Sequence, residues 1–384
     1  MPLLLNRSAN EWRQVGGLHT AEEIAQQPQL WRKLAQALPA QQSRLAAWLG
    51  DALLQPGQRV LLTGAGSSAF VGEIAADLLA NTWPAQVRAV PTTSLLTHPE
   101  LYLDAEAPTL LVSFARSGSS PESLAVVDLL RQRLRAPRFL NITCNADGRL
   151  ARQAEGRADS LNLLMPAGSC DRGFAMTSSF SCMLLAVLAL LGKEPEAGLS
   201  IERLAAQAEQ GLQAWAAPLQ RLAEQRYARI VMLGSGPLEA LAKEAALKVL
   251  ELSGGRSLAI ANTPLGFRHG PKSALNADCL VLMLRSRKAL ARRYEDDLLS
   301  ELRADGVAGH CLSIGPADAG TELGIPAPEG LDDTWLAPLW LLAAQLFSLQ
   351  QSAALGLQPD NPFPDGTVNR VVQGVSIHEH ELLA

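Results

Sequence analysis

An internal repeat is the feature that most restricts how this chain can fold. The stretches "RVLLTGAGSSAFVGEIAADLL" (59–79) and "RIVMLGSGPLEALAKEAAL" (229–247) each read as an apolar strand, a Gly-rich turn and a helix. Gly66 of the first turn matches Gly236 of the second at a shift of 170 residues. A repeat of this length indicates two copies of one structural unit.

The strands that follow repeat as well. "LLVSFARSGSS" (110–120) matches "LVLMLRSRKAL" (280–290), with Arg116 placed over Arg285 and the serine after each aligned. "RFLNITCN" then pairs loosely with "GHCLSIGP". Apolar strands that alternate with helices are typical of parallel sheets. The sequence therefore predicts an α/β protein with two tandem doubly wound, flavodoxin-like domains.

The regions outside the repeat complete the predicted organisation. "HTAEEIAQQPQLWRKLAQAL" begins with a potential capping box, Thr20 with Glu23, and continues at helical spacing. The end of the chain is irregular and rich in Pro, Gly and Asn, which is typical of a loop that wraps the body. The predicted divisions are an N-terminal helical arm (1–50), a first domain (51–200), a second domain (201–350) that opens with a connecting helix (201–225), and a C-terminal tail over the active site (351–384).

Composition excludes several classes of function. With 18% charged residues and a net charge of −5, the chain is a poor candidate for binding nucleic acid or an anionic membrane. Its richest apolar run, 182–192, is too short to span a bilayer. The five cysteines are scattered without a CxxC motif. We therefore expect a cytoplasmic protein with neither a disulfide framework nor a metal site, and the sequence points to no cofactor.

The first Gly-rich turn, "GAGSSA", formally fits the dinucleotide fingerprint GxGxxA. That fingerprint also needs an acidic residue at the end of the second strand, and "VRAVPTTSLL" has none. The alternative is a plain tight turn between a strand and a helix.

The second loop, "SFARSGSSPES", is more informative. Hydroxyls and backbone N–H groups at a helix N-terminus, with an arginine nearby, form an anion site. Simple capping is the alternative, but capping needs one serine and this loop has three. Both serine loops follow strands, so we expect them to hold one phosphate between them. The predicted substrate-binding residues are Gly66, Ser67, Ser68, Arg116, Ser117, Ser119 and Ser120.

Two further features are candidates for acid–base chemistry. Glu244, Lys248 and Glu251 fall on one face of a predicted helix. They form either an ordinary surface ion pair or a group that moves a proton between adjacent carbons. His269, in the loop "LGFRHGPKS", is either an acid–base group or one surface histidine among six.

Taken together, "GAGSS", "ARSGSS" and "EAALKVLELSGG…LGFRHGP" resemble the SIS (sugar isomerase) domain. Two such domains in tandem look like the isomerase half of glucosamine-6-phosphate synthase, over roughly residues 45–380. The tail and "TPLGFRHGPK" are most similar to the AgaS subgroup. Its members are described as tagatose-6-phosphate ketose/aldose isomerases and as galactosamine-6-phosphate deaminases.

The resemblance implies a role for each candidate. Ser117 and Ser120 take the place of the residues that hold the sugar phosphate. Glu251 takes the place of the carboxylate that moves the proton between C1 and C2, and Lys248 that of the lysine beside it. His269 takes the place of the ring-opening histidine, which the similar synthase contributes across a dimer interface. We therefore expect a homodimer or larger homo-oligomer with shared active sites.

The sequence also departs from the synthase. Ala115 and Arg116 replace the start of its phosphate loop, and Gln373 stands where its tail has a lysine, so a Schiff base from the tail is not expected. Whether Gln373 or Arg370 reaches the substrate stays open. No glutaminase region precedes the repeat, so we expect ammonia to be released.

The expected reaction is conversion of galactosamine 6-phosphate to tagatose 6-phosphate and ammonia, with the choice of hexosamine resting on the resemblance alone. One alternative is ketose/aldose isomerisation without deamination, which uses the same groups. The other is a non-catalytic sugar-phosphate-binding protein.

Overall fold

The protein, a computed structural model, is described over residues 3–318 and 320–378. The strands are β1 (Arg59–Thr63), β2 (Gln86–Ala89), β3 (Thr109–Ala115), β4 (Pro137–Thr143), β5 (Ser160–Leu164), β6 (Arg229–Leu233), β7 (Leu258–Asn262), β8 (Cys279–Leu284), β9 (His310–Pro316) and β10 (Leu323–Ile325).

Helices alternate with these strands. The α-helices of the first half are α1 (Ala9–Gln14), α2 (Leu18–Ala25), α3 (Gln27–Leu49), α4 (Ser67–Thr82), α5 (Thr92–Thr97), α6 (Pro121–Arg133), α7 (Arg149–Ala154) and α8 (Ser178–Leu191). Those of the second half are α9 (Ala197–Ala223), α10 (Pro237–Leu252), α11 (Pro264–Phe267), α12 (Ala289–Asp305) and α13 (Asp333–Ala354). Short 3₁₀ turns occur at Ala52–Leu54, Pro99–Leu101 and Pro271–Ala274.

The strands form two five-stranded parallel sheets, which confirms the predicted α/β class. The first sheet has the order β2-β1-β3-β4-β5, and the second has the order β10-β9-β8-β6-β7. Read from the other edge, the second order is the same as the first, and it is the flavodoxin-like order. Each half therefore has its own topological switch point, between β1 and β3 in the first sheet and between β6 and β8 in the second.

Strand register corrects one detail of the repeat. Arg59 pairs with Thr109 in the first sheet, and Arg229 pairs with Cys279 in the second, so the shift remains 170 through β3 and β8. At this shift Arg116 corresponds to Ser286, so its alignment with Arg285 is wrong by one residue. The error arose because β8 ends one residue earlier than β3, which brings Arg285 directly after its strand.

The Gly-rich turns need glycine because each helix begins very close to the strand before it. A Cβ on Gly64 would lie 2.5 Å from the Ser68 main chain, and one on Gly234 would lie 2.2 Å from the Leu238 carbonyl oxygen. Gly66 and Gly236 adopt φ values of 57° and 59°, in the left-handed region. The two repeats therefore fold this turn in the same way.

The two halves pack through their repeated helices. α4 lies against α10, and Lys243 Nζ donates to Glu73 Oε2 at 2.9 Å across this contact. These two residues are separated by the repeat shift of 170, which is the relation expected for residues that face each other across a local two-fold axis. A continuous apolar core runs through both halves, with the long helix α13 at its centre.

The N-terminal helices belong to this core instead of projecting from it. Trp12 and Trp31 are fully buried, and α3 packs against α8 and α9. The predicted Thr20–Glu23 capping box is wrong, because α2 begins at Leu18 with Gly17 as its N-cap. A capping box occurs one helix earlier, where Ser8 and Glu11 cap α1.

The tail is irregular, as predicted, over residues 358–378, and its last six residues lie outside the described range. Asp360 fastens it to the start of α2 by accepting hydrogen bonds from the His19 and Thr20 N–H groups and the Thr20 hydroxyl. The predicted division at residues 50, 200 and 350 remains a prediction. Within the described part of the chain, every helix is too short or too polar to cross a bilayer.

The close approach at the second Gly-rich turn predicts a stability difference. Gly234→Ala would push a methyl group into the Leu238 main chain, so we expect the free energy of unfolding to fall by about 1–3 kcal/mol. Gly57→Ala is the matched control, because the space around its Cβ is open. Thermal denaturation of both variants checks this, and equal melting temperatures would show that the turn can relax.

Candidate active site

A cavity of about 120 Å³ lies at the carboxyl end of the first sheet, at its switch point. The loops after β1 and β3 form two of its walls, and the segment between β5 and α8 and the C-terminal tail form the others. Its lining residues are Ala65, Ser68, Phe114, Ala115, Arg116, Ser117, Gly118, Ser120, Glu122, Ser123, Met176, Arg370, Val371 and Val372.

The structure brings together only part of the predicted binding set. Ser68, Arg116, Ser117 and Ser120 line the cavity. The other three predicted residues, Gly66, Ser67 and Ser119, do not. Ser119 faces away, since its hydroxyl oxygen accepts a hydrogen bond from the Arg149 N–H group at the start of α7.

The side chain of the N-cap serine does not cap α6. Ser120 is the N-cap residue of α6, yet its side chain makes no capping hydrogen bond and instead donates to Ser123 Oγ at 2.7 Å. The first turn of α6 therefore presents hydroxyl groups and N–H groups to the cavity, where an anion is favoured.

Arg116 supplies positive charge at the base of this cavity, although only 8% of it is exposed. Its guanidinium donates to the Phe174 carbonyl oxygen at 2.9 Å and to the Arg370 carbonyl oxygen at 2.8 Å. Burial lowers the pKa of Arg116, and a guanidinium group keeps its charge at neutral pH. These neutral acceptors orient the guanidinium without cancelling its charge, which suits it to binding an anion.

Some lining residues had no signal in the sequence, and Arg370 was left open as a candidate. Met176 and Arg370 reach the cavity from irregular segments, and only the fold brings these beside the β3 loop. Ser123 was recognisable in principle, because it lies three residues after Ser120 in the first turn of a helix. Of the two tail residues left open above, Arg370 lines the cavity and Gln373 is exposed.

The acid–base candidates come from the other half of the molecule, on α10. Lys248 Nζ lies 2.5 Å from Glu251 Oε2, 3.3 Å from Glu244 Oε1 and 2.9 Å from Ser67 Oγ. The Glu244 and Lys248 side chains are fully buried, and that of Glu251 is 24% exposed. The alternative of an ordinary surface ion pair is therefore wrong.

In this cluster, burial and the neighbouring charges shift the pKa values of Glu244 and Lys248 in opposite directions. Burial raises the pKa of Glu244 to about 7, although the nearby Lys248 ammonium opposes the rise. Burial alone would lower the pKa of Lys248, but the two carboxylates outweigh it and hold the pKa above its ordinary value. Lys248 thus remains cationic at neutral pH, and Glu251 is the carboxylate of the cluster that solvent can reach.

Ser67 joins the cluster to the cavity. Its hydroxyl accepts from Lys248, and its chain neighbour Ser68 lines the cavity wall. The charge of Glu251 acts to raise the pKa of Arg116, and the charge of Arg116 acts to lower the pKa of Lys248. An anion-binding cavity and a proton-transfer group therefore lie side by side, one from each half of the chain.

His269 is exposed and lies outside the lining of this cavity. The loop that carries it is clamped on both sides, because Arg268 and Lys272 each form an ion pair with Glu301 of α12. The imidazole is thus presented outward from the edge of the second sheet.

Comparison with known proteins shows the family to which the chain belongs. The model of the SIS domain matches residues 53–193, which contain the first sheet. D-galactosamine-6-phosphate deaminase AgaS of Shewanella sp. (strain ANA-3) is 40% identical over 374 residues, which cover 97% of this chain and 94% of the relative.

Solved structures of similar proteins share the fold of this chain. The tagatose-6-phosphate ketose/aldose isomerase from Escherichia coli superposes with a TM-score of 0.87 at 38% identity, covering 97% of this chain and 99% of the other. The C-terminal domain of glucosamine-fructose-6-phosphate aminotransferase from Francisella tularensis shares the fold, with a TM-score of 0.70 at 18% identity and coverage of 89% and 98%. The 40% identity to the Shewanella deaminase, along 97% of this chain, shows that this protein belongs to the AgaS family of SIS-domain proteins.

Proposed function

We propose that this chain is an amino-sugar phosphate deaminase that converts galactosamine 6-phosphate to tagatose 6-phosphate and ammonia. The observation that carries the proposal is the Lys248–Glu251 pair, held at 2.5 Å beside an arginine-lined cavity at the switch point of the first sheet. The names of the AgaS relatives supply the substrate and the reaction type.

The sugar phosphate would bind with its phosphate group in the cavity. Ser68, Ser117 and Ser120 offer hydroxyl donors, and the first turn of α6 offers backbone N–H groups. Arg116 adds a charge-assisted contact that matches a phosphate better than a neutral group. The reacting end of the sugar would then extend toward α10.

Glu251 would carry out the proton transfer. In the open-chain aldose it removes the C2 proton, while the 2-ammonium group of the substrate gives a proton to the C1 oxygen. The neutral 1,2-enolamine that results then receives the proton from Glu251 at C1. The product is a 2-iminium group, which water hydrolyses to the C2 ketone and ammonia. Lys248 remains cationic and stabilises the negative charge that develops on the C1 oxygen.

His269 would open the pyranose ring from a neighbouring subunit. Its exposure and its outward-facing, clamped loop support a role toward another molecule instead of its own cavity. A two-fold dimer would make the exchange of this loop reciprocal, so that each site contains groups from two chains.

The direct test is ammonia release, measured with galactosamine 6-phosphate, glucosamine 6-phosphate and N-acetylgalactosamine 6-phosphate. We expect turnover with galactosamine 6-phosphate. The similarity to a tagatose-6-phosphate isomerase makes isomerisation the competing reaction, so tagatose 6-phosphate is assayed in parallel for aldose formation. Aldose formation without ammonia from any amino sugar would replace the proposal, and binding without turnover would indicate a sugar-phosphate-binding protein.

Replacing the proposed base should separate binding from chemistry. Glu251→Gln keeps the shape of the side chain but cannot accept the C2 proton, so we expect roughly a 10²- to 10⁴-fold loss of kcat with ligand affinity retained. Exchange of the C2 proton with deuterated solvent, followed by NMR, checks the step itself. Glu239→Gln, in the first turn of the same helix, is the control. Wild-type exchange in Glu251→Gln would move the base to another residue, with Glu244 the first to examine.

A shared site predicts complementation between two inactive variants. Glu251→Gln and His269→Ala should each be nearly inactive as homo-oligomers. After random subunit exchange, about half of the dimers are mixed, and each mixed dimer contains one site with both groups intact and one with neither. About a quarter of wild-type activity should therefore return. If mass spectrometry confirms mixed dimers and activity stays absent, Glu251 and His269 act within one chain.

A further inference from the structure

The buried carboxylate of Glu23 has no part in the chemistry proposed above. It lies on α2, is only 2% exposed, and accepts hydrogen bonds from two consecutive backbone N–H groups of the segment between β5 and α8. The Arg172 N–H group donates to Oε1 at 2.5 Å, and the Gly173 N–H group donates to Oε2 at 3.1 Å. Such contacts fix the position of a loop that has no regular structure of its own.

The same loop orients both arginines of the cavity. Arg370 Nε donates to the Gly173 carbonyl oxygen at 3.0 Å, and another of its nitrogens donates to the Asp171 carbonyl oxygen. Arg116 donates to the Phe174 carbonyl oxygen at 2.9 Å and to the Gly173 carbonyl oxygen at 3.5 Å. Residues 171–174 therefore connect the Glu23 carboxylate on one side with two guanidinium groups on the other.

The loop formed by residues 171–174 packs tightly against α2. A Cβ on Gly173 would lie 2.7 Å from Thr20 Oγ1 and 3.0 Å from Glu23 Oε2, so the loop rests directly on α2. Thr20 also donates to Asp360 of the tail, ten residues before Arg370. Helix α2 thus holds both segments that complete the cavity.

We propose that Glu23 is a positioning residue for phosphate binding, and that its carboxylate holds residues 171–174 so that Arg116 and Arg370 both face the cavity. This inference rests on the proposed function, because it takes the cavity as the phosphate site. It assigns α2 a role in substrate affinity, although none of its side chains lines the cavity.

The protonation of Glu23 gives the proposal a distinctive signature. Burial and the nearby Asp171 raise the pKa of Glu23 to about 7, against the hydrogen bonds from the Arg172 and Gly173 N–H groups and the charge of Arg172. The ionised form is the stronger acceptor, so the contribution of Glu23 should be present above pH 7 and lost as the pH falls through it. Other charged groups lie on α2 itself and on the segments packed against it: Glu22 and His19 on α2, Asp360 on the tail, Glu11 and Arg13 on α1, and Arg32 and Lys33 on α3. Helix α13 also packs against α2, but it carries no charged residue after Asp333.

The test compares Glu23→Gln with Glu22→Gln. Glu22 is the neighbouring carboxylate on the same helix, but it pairs with side chains, those of Arg172 at 2.7 Å and His19 at 4.0 Å. At pH 8 we expect Glu23→Gln to raise the KM for galactosamine 6-phosphate and the Kd for inorganic phosphate about five- to ten-fold, the effect of weakening about one hydrogen bond, with kcat little changed. Glu22→Gln should match the wild type in all three.

The pH dependence distinguishes positioning from general damage to the fold. The ratio of the variant Kd to the wild-type Kd for phosphate should approach one as the pH falls from 8 to 6, because the wild-type carboxylate becomes protonated. Protonation of phosphate itself affects both proteins and cancels in the ratio. A ratio that stays constant with pH, or a loss of kcat without a change in KM, would overturn the proposal.

A second variant covers the case in which Glu23→Gln does not fold. Gly173→Ala keeps the carboxylate but displaces the loop, so it should weaken phosphate binding in the same way. Calorimetry with phosphate does not depend on turnover. Weaker phosphate binding in a protein that releases no ammonia would therefore support this inference while rejecting the deaminase, and unchanged binding in an active deaminase would do the reverse.

Discussion

The buried ammonium group of Lys248 is the interaction on which the site depends. An uncompensated charge in a protein interior is very costly, so Lys248 can be buried only because Glu244, Glu251 and Ser67 surround it. Two of these partners lie on the same helix, while Ser67 begins α4 of the first half. The requirement to satisfy one cation therefore fixes how α10 sits against α4, and it places Glu251 beside the loops at the carboxyl edge of the first sheet.

Divergence between the two repeats leaves one such cluster in the part of the chain that the structure describes. At the shift of 170, the positions equivalent to Glu244, Lys248 and Ser67 are Ile74, Leu78 and Pro237, which cannot exchange protons. In the second sheet, carboxylates of the protein itself accept hydrogen bonds from the loop after β8. Asp333 accepts from the Ser286 hydroxyl and the Arg287 N–H group, and Glu295 accepts from the Ser286 N–H group. Carboxylates of the protein thus occupy the position in the second sheet that corresponds to the candidate anion site of the first.

The sequence was sufficient for the parts that depend on local pattern. Strand–turn–helix units, the Gly-rich turns and the α10 face carrying Lys248 all follow from spacing along the chain, and the structure confirms them. The contributions of Met176 and Glu23 could not be predicted and that of Arg370 stayed open, because each depends on contacts between segments far apart in sequence. Thr20 shows the same limit: its spacing to Glu23 fits a capping box, but a tertiary contact with Asp360 decides its role.

The cavity has a consequence for how the protein matures during synthesis. Its walls and supports come from positions as far apart as Glu23 and Arg370, so a nascent chain can complete both sheets while the site is still unfinished. A product truncated after α13 would retain the shared core but lack the tail whose carbonyl oxygen holds Arg116. Translation would thus have to proceed almost to the end of the described chain before the cavity is complete. Truncated chains would fold but would not bind the substrate.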